Sequence, residues 1–508
     1  MGKIMTKRRI SSLFLYRHRF VLGYIILTLL FGAMLFYMPI VTPNGLSEAE
    51  MESVVTSMDT GKDTILSGNI IDLPYHCLQK VSILLFGLTS YGIKLPSIII
   101  GAFLGILLIL LLNRWFKNNV AIMASVLSVL SSSFLYIAGS GTPLIMIVFW
   151  PTLLFWLGSK IQGENKPKPL YSFFFAFVLL LSLFTPYMIY LAVFIVLYAL
   201  FHPHLRFTIK SLPKIPFILT TLVVLGAGTL IVLNAIKNPA TITGLGFMSD
   251  FSKNNYLLNL KTALSPFFRW SGMVESTFLS PMIGLASLAL AITGLISTYK
   301  GFFASRNSIA TYLMIFTLII SGLNPNCAIL LILPLAILIA HGFSYILNKW
   351  YNLFPENPYA RVFGILPISI FLFIMITSDI SHFVFGYRYN PAVANLFSTD
   401  LRLVREKVDE GSVLVVSNEL EYKFYKNLEK SPYLNLEHQK KISVAREFPT
   451  VTFDRIATLG RFDTSDEKVK KSIAKNYNLT RIITNSKSEN SDRIYLYEKK
   501  TTDTEAKE

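Results

Sequence analysis

LPSIIIGAFLGILLILLL, Leu95 to Leu112, holds no charged residue, and its only hydroxyl is Ser97. A helix rises 1.5 Å per residue against a hydrocarbon core about 30 Å thick, so a run of this length and composition reads as a membrane span. Runs of the same kind recur on both sides of it, at 20–40, 120–138, 144–157, 170–184, 187–201, 215–233, 283–298, 309–322, 327–347 and 362–377. Only helices and closed barrels satisfy their backbone groups in lipid. The fold class that follows is an all-α polytopic membrane domain of about eleven spans. No small-residue cleavage site follows Ile40, so the first run reads as a retained anchor and not as a signal peptide.

The composition agrees with this reading. Of 508 residues, 53% are hydrophobic and 15% charged, a balance that excludes an ordinary water-soluble chain. The formal charge of +17 would suit a nucleic acid only if the basic residues shared one accessible face. They follow the membrane instead. With the N-terminus cytoplasmic, the inner segments carry clusters such as Lys7, Arg8 and Arg9, or Lys166 and Lys168. The outer loops before residue 380 hold only Lys62, Lys80, Lys94, Lys237, Lys253, Lys261 and Arg269. This positive-inside asymmetry sets the orientation and removes the nucleic-acid reading. Cys77 and Cys327 both fall on the outer side, where a disulfide is chemically allowed, and are expected to stay unpaired.

The pattern divides near residue 380. Residues 1–379 are spans and short connections apart from two long outer loops, 41–94 and 234–282. Residues 380–508 turn charged and mixed, and an odd number of spans puts them outside. Within them SVLVVS at 412–417, RIITN at 481–485 and RIYLYE at 493–498 are short, β-branched runs of strand type. The stretches 401–410 and 465–476 read as helices. The expectation is a small extracytoplasmic α/β domain with a polar, disordered end after Lys500. It carries no phosphate loop, nucleophile elbow or metal-ligand spacing, which points to packing or acceptor docking.

Acidic residues are the informative minority. Glu48, Glu50, Glu52, Asp59, Asp63 and Asp72 crowd the first outer loop. A carboxylate just beyond the outer surface can act as a general base on a hydroxyl or help hold a cation near a phosphate. Solvating the loop is the bland role for the same residues. No assigned span carries Lys, Arg, Asp or Glu in its interior, and Asp379 is read as lying outside. Ion-coupled transporters need ionisable groups at depth, so transport of a lipid or polysaccharide is the weakest reading.

Residues 72–101, DLPYHCLQKVSILLFGLTSYGIKLPSIIIG, resemble the corresponding stretch of GT-C membrane glycosyltransferases, in the branch of protein O-mannosyltransferases and aminoarabinose transferases. In that family a Pro-Pro-Leu-Tyr segment leads through an amphipathic helix to Phe-Gly, and then an Arg-Leu-Pro-Ser segment opens the second span. Here those positions are Leu73, Pro74, Tyr75 and His76, then Phe86 and Gly87, then Lys94, Leu95, Pro96 and Ser97. The resemblance implies sugar transfer from a polyprenyl-phosphate carrier in a bacterial plasma membrane to an envelope acceptor on the outer face. Lipid carriers suit an outward site because nucleotide sugars stay in the cytoplasm.

The family's Asp-Glu pair after the first span is replaced. GLSEAEMESV offers Ser47 and Glu48, or Ala49 and Glu50, according to the alignment. Glu48, Glu50 and Asp72 are therefore the candidate catalytic acids. At the family's second acid position stands GSGTP, with Ser140, Thr142 and Pro143. No cofactor is fixed by these residues; the resemblance leaves room for a divalent cation, but one carboxylate fewer weakens a site built on oxygen ligands. Lys94 and Arg269 are the candidates for the donor phosphate, Arg for its bidentate geometry. Trp270, Tyr75 and His76 are the further candidates for substrate binding, Trp270 by stacking on a sugar. The competing reading is a scaffold or glycan-binding protein that keeps this architecture without catalysis.

Overall fold

The computed structural model describes residues 45–61, 70–161, 169–203, 214–246, 255–268, 281–299, 305–353, 358–390, 396–409, 411–416, 418–430, 442–446, 453–459, 467–484 and 493–500, together with parts of 25–37, residues 206–207 and two short strands at 273–279. After a helical stretch at 31–37, strand β1 (Leu46–Ser47) leads into helix α1 (Glu48–Asp59). Then follow α2 (Leu73–Phe86), α3 (Ser90–Trp115), α4 (Asn118–Val129), α5 (Ser132–Gly139), α6 (Leu144–Ile161), α7 (Pro169–Ser182), α8 (Met188–Phe201) and α9 (Lys214–Lys237). After α10 (Tyr256–Phe268) and the hairpin β2–β3 (Met273–Val274, Phe278–Leu279) come α11 (Leu285–Tyr299) and α12 (Ser305–Leu323). A 3-10 segment (Pro325–Leu331) opens α13 (Ile332–Leu353), and α14 (Pro358–Tyr389) ends the helical part.

Each apolar run read from the sequence is mainly helical where it is described, with the run 120–138 broken at Leu130 and Ser131. Long α3, α6, α12, the Pro325–Leu353 segment and the Leu366–Tyr389 part of α14 make 5 helices with the length and composition to cross a bilayer. The pair α4 and α5, bent by 65°, raises this to 6 if it is one span. Apolar α7, α8 and α11 are shorter. The 14 residues of α8 reach about 21 Å, less than the hydrocarbon thickness. The described residues thus support a mostly helical membrane protein with fewer full-length spans than eleven. One expectation is corrected. Apolar α14 runs on past residue 377, so Asp379 lies within it and is buried.

Helices α11 and α13 come into backbone contact. A Cβ on Gly294 would stand 1.9 Å from the Leu338 carbonyl oxygen, and one on Gly342 would stand 2.2 Å from that of Leu290. Small residues permit such approach where lipid supplies no hydrophobic drive between helices.

Beyond α14, strand β4 (Phe397–Ser398) precedes α15 (Asp400–Lys407), β5 (Val413–Val415), α16 (Glu419–Lys430), β6 (Ser443–Ala445), β7 (Arg455–Leu459), α17 (Glu467–Asn476), β8 (Tyr477–Thr484) and β9 (Arg493–Lys499). The sheet order is β6-β5-β7-β9-β8, with β5 parallel to both neighbours and β9 antiparallel to both of its own. Three of these strands and both expected helices lie where the sequence put them. Strands β6 and β7 and helix α16 were not anticipated. The end after Lys500 lies outside the described residues.

Strand β1 pairs antiparallel with β4, Leu46 opposite Ser398 and Ser47 opposite Phe397. Leu46, Met51, Val54, Ile83 and Ile93 share one hydrophobic core with Leu401, Val404, Phe424 and Tyr425. The segment from Leu46 to Ile93 is thus packed onto the C-terminal unit. Cys77 and Cys327 are both free thiols.

Candidate functional site

Helix α1 starts on a capping box. Ser47 Oγ accepts from Glu50 N at 3.3 Å, and Glu50 Oε2 accepts from Ser47 N at 2.9 Å, which satisfies two N-terminal amides reciprocally. This cap and the β1–β4 pairing fix the phase of the helix. Glu50, Met51, Ser53, Val54 and Ser57 face inward, while Glu48 and Glu52 are exposed. The two alignments of the family's acid pair are thereby separated, because residues two apart on a helix point to opposite sides.

Glu50 is 1% exposed. Its Oε1 accepts the Gly141 N–H at 2.7 Å and lies 3.6 Å from Lys94 Nζ. Lys94, itself buried, donates to the Gly45 carbonyl at 3.2 Å. A buried carboxylate needs such partners, since desolvating an unpaired charge costs several kcal/mol, on the order of 3–5 when one partner is removed. Gly141 belongs to the GSGTP bend, where the family's second acid is missing. A Cβ there would meet Ile93 Cγ2 at 2.6 Å, so glycine is what lets its N–H reach Glu50.

Helix α2 inverts the usual arrangement. Its inward face carries Tyr75, His76, Gln79 and Ser82, while Leu78, Val81, Leu84, Leu85 and Phe86 are exposed. A helix with its polar groups bound inside and its large apolar groups outside is suited to hydrocarbon on the outer face. At 14 residues, about 21 Å, it is too short to span and fits the interface.

Asp72 precedes α2 in the left-handed region at φ 52°, a conformation Asp tolerates better than most residues. Its N–H is bonded to the Phe184 carbonyl at 2.8 Å. The carboxyl group is buried, hydrogen-bonded by Thr185, and its Oδ1 has no partner among the described residues. Trp150 Nε1 donates to Thr185 Oγ1 at 2.9 Å, which leaves the threonine proton for Asp72. Burial holds the Asp72 carboxyl well above the usual carboxylate range, partly offset by Thr185.

Tyr75 lies within the fields of Glu50 and Asp72 and shares a hydrogen bond of 2.7 Å with Ser97. Burial, then those charges, raise its pKa, so it remains a neutral phenol. Burial pushes His76 down to about 4. His76 Nδ1 is 2.7 Å from Ser57 Oγ, and Ser57 in turn is bonded to Gln79.

Of the residues singled out in the sequence, Glu50, Lys94, Asp72, Tyr75 and His76 are gathered where α1, α2 and the start of α3 meet. Glu48 is not among them. Arg269 and Trp270 lie outside the described residues. Gly141, Gln79, Ser57 and Thr185 were not anticipated. Among the described residues no group of three His, Cys, Asp or Glu side chains is arranged to hold a metal ion. Glu50 has its oxygens engaged and Asp72 stands without a second free carboxylate, so this donor set does not fit a hard divalent cation.

Residues 75–231 match the family model of dolichyl-phosphate-mannose-protein mannosyltransferases. The apo crystal structure of ArnT from Cupriavidus metallidurans matches with a TM-score of 0.53 at 11% identity, over 94% of this chain and 98% of that one. ArnT bound to undecaprenyl phosphate matches with a TM-score of 0.48, again at 11% identity over 94% and 98%. The Archaeoglobus fulgidus oligosaccharyltransferase tethered to an acceptor peptide matches with 0.47 at 11% identity, over 79% of this chain and 62% of that one. No curated protein matches the sequence. The resemblance to GT-C membrane glycosyltransferases is borne out by a family match that begins at Tyr75 and by an ArnT fold that covers nearly the whole chain.

Proposed function

We propose that this chain transfers a sugar from a polyprenyl-phosphate-linked donor to an envelope acceptor at the outer face of the plasma membrane. The membrane domain, with the N-terminus cytoplasmic, runs to the end of α14 at Tyr389, ten residues past the boundary read from the sequence, and the residues after it form the extracytoplasmic domain. The observation that carries the reading is α2, which turns Leu78, Val81, Leu84, Leu85 and Phe86 outward and Tyr75 and His76 inward beside Asp72 and Glu50. A donor diffusing in the bilayer meets the apolar side of this helix and has its headgroup within one helix diameter of the buried acids. The family match and the ArnT fold support the same chemistry.

Of the two buried candidate acids, Glu50 has both oxygens engaged, whereas Asp72 Oδ1 has no partner among the described residues and is open to act as a base. A carboxylate whose pKa is raised by burial is a stronger proton acceptor once ionised. Asp72 takes the proton of the acceptor hydroxyl, whose oxygen bonds to the anomeric carbon. The bond from that carbon to the carrier phosphate breaks, and its electron pair leaves on the phosphate. Arg269 is assigned to that phosphate and Trp270 to the sugar face, because Lys94 is engaged by Glu50 and Gly45. Glu50 and Lys94 hold α1 in position, and Glu48 has no part in the step.

The test is transfer by the full-length protein in proteoliposomes from a polyprenyl-phosphate sugar. Asp72→Asn is expected to lower kcat at least about a hundredfold, the usual lower bound for a general base. Glu48→Gln should match the unaltered protein. Undiminished turnover in Asp72→Asn overturns the base assignment. Tight binding of the lipid-linked sugar by the unaltered protein with no transfer to any acceptor would favour the scaffold reading.

A further inference from the structure

Gln79 is fully buried, and its four hydrogen bonds admit one arrangement. Nε2 lies 3.1 Å from the Ile93 carbonyl oxygen and 2.8 Å from that of Gly141. Both partners can only accept, so the amide NH2 faces them. Oε1 then receives the hydroxyls of Ser53 at 2.8 Å and Ser57 at 2.6 Å. Ser57 has a single proton, and it points to Gln79. Its oxygen is also 2.7 Å from His76 Nδ1, a contact that is favourable only if Nδ1 carries hydrogen and donates. The ring is neutral at neutral pH because burial depresses its pKa to about 4. A neutral imidazole has one N–H, so Nε2 keeps its lone pair, and no described residue donates to it.

We infer that Gln79, acting through Ser57, locks His76 as the Nδ1–H tautomer so that Nε2 accepts a hydrogen bond from a substrate hydroxyl. The lone pair would repel a phosphate oxygen, which itself only accepts. His76 therefore selects a hydroxyl, of the donor's sugar or of the acceptor, and leaves the phosphate to a cation. Gln79 and Ser57 are positioning residues. The source of the hydroxyl rests on the glycosyl-transfer reading; the tautomer does not.

The tautomer is read directly from two-bond 1H–15N spectra of the full-length protein in detergent, labelled with 15N-histidine. His76 is identified by the signals lost in His76→Asn or, should that variant not fold, by those altered in Ser57→Ala. Protonated Nδ1 and bare Nε2 are expected, with Ser57→Ala relaxing the preference toward a mixture. A polyprenyl-phosphate sugar that displaces the Nε2 signal assigns the donor's hydroxyl, and displacement by a free alkyl glycoside assigns the acceptor's. Sugar-free polyprenyl phosphate should leave the signal in place. His76→Asn should raise KM for the displacing substrate about tenfold, the worth of one neutral hydrogen bond, with a smaller change in kcat. A protonated Nε2, equal displacement by the sugar-free lipid, or no displacement by any of the three would overturn the inference. An Nε2 that responds to sugar in a protein without turnover would sink the transfer reading and leave this one standing.

Discussion

Removing the charge of Lys94 tests whether Glu50 holds the site together or carries its chemistry. The pair sits at 3.6 Å with side-chain exposures of 5% and 1%. In Lys94→Met the Glu50 carboxylate keeps the Gly141 and Ser47 N–H groups and a long contact of 3.4 Å with the Ser47 hydroxyl, with no cation. An uncompensated buried charge of this kind costs about 3–5 kcal/mol. Glu50→Gln takes the counter-charge from the Lys94 ammonium and turns an amide NH2 toward Gly141 N–H or Ser47 N–H, for a loss of similar order. Combining Glu50→Gln with Lys94→Met removes both charges, and only hydrogen bonds and packing remain lost. The double variant should therefore be more stable than the sum of the singles by at least about 2 kcal/mol. Thermal midpoints of the four proteins in one detergent and lipid mixture close the cycle. Additive shifts would refute the reasoning, since they would mean that the two groups do not sense each other. Activity adds a second discriminator. If Glu50 only holds α1, transfer should recover in part in the double variant relative to the worse single, whereas a catalytic Glu50 would leave it inactive.

His76 and Asp72 predict opposite pH dependences. His76 has its folded pKa at about 4, below the ordinary 6.5, so the unfolded chain binds the proton more tightly. Stability should fall as the pH drops from about 6.5 toward 4, by up to roughly 1.4 kcal/mol per unit, and His76→Asn should flatten that limb in acid denaturation. Asp72 is raised, so the folded chain binds the proton more tightly and stability falls as the pH rises from about 3.9 through the folded pKa; Asp72→Asn should remove that loss. Gly294→Ala, with its Cβ 1.9 Å from the Leu338 carbonyl, should lower the thermal midpoint by the equivalent of more than about 2 kcal/mol. Gly226→Ala in α9, where nothing lies within 4 Å, should be neutral or slightly stabilising.

The helical part was legible because length and charge alone decide what can sit in lipid, and every apolar run from 95–112 onward is mainly helical where described, though the break at Leu130 and Ser131 inside 120–138 was not read. Which glutamate faces inward was not legible. That choice needs the phase of α1, set by the Ser47 cap and by Leu46 lying opposite Ser398, a partner far along the chain. Gln79 carried no signal because its two acceptors are backbone carbonyls, of Ile93 and Gly141, which any residues could supply. Helix α2 was readable as amphipathic in LPYHCLQKVSILLF, yet polarity by itself assigns the polar face to water. Only the burial of His76 and Gln79 reverses it. Helix α16 shows the opposite failure. Leu420, Phe424 and Leu428 form an i, i+4, i+8 stripe that packs inward but is diluted by the charges around it. Strand β7, RIATL, is short and begins on an exposed Arg455, so its β-branched signal is weak.

The pairing of β1 with β4 also bears on how the site is held. Two residues per strand cannot sustain a ribbon alone, so β1 depends on the core in which Leu46, Met51 and Val54 meet Leu401, Val404 and Phe424. Gly45 makes the approach possible, since a Cβ there would stand 2.3 Å from the Ser398 carbonyl oxygen. The carbonyl of that same glycine receives the Lys94 ammonium, and Lys94 holds Glu50. The C-terminal unit, the buried ion pair and the acid helix are thus linked through consecutive contacts. A displacement of the C-terminal unit would be felt at Gly45 and, through the shared core, at Met51, Ile83 and Ile93, because packed contacts shift between discrete arrangements and do not stretch.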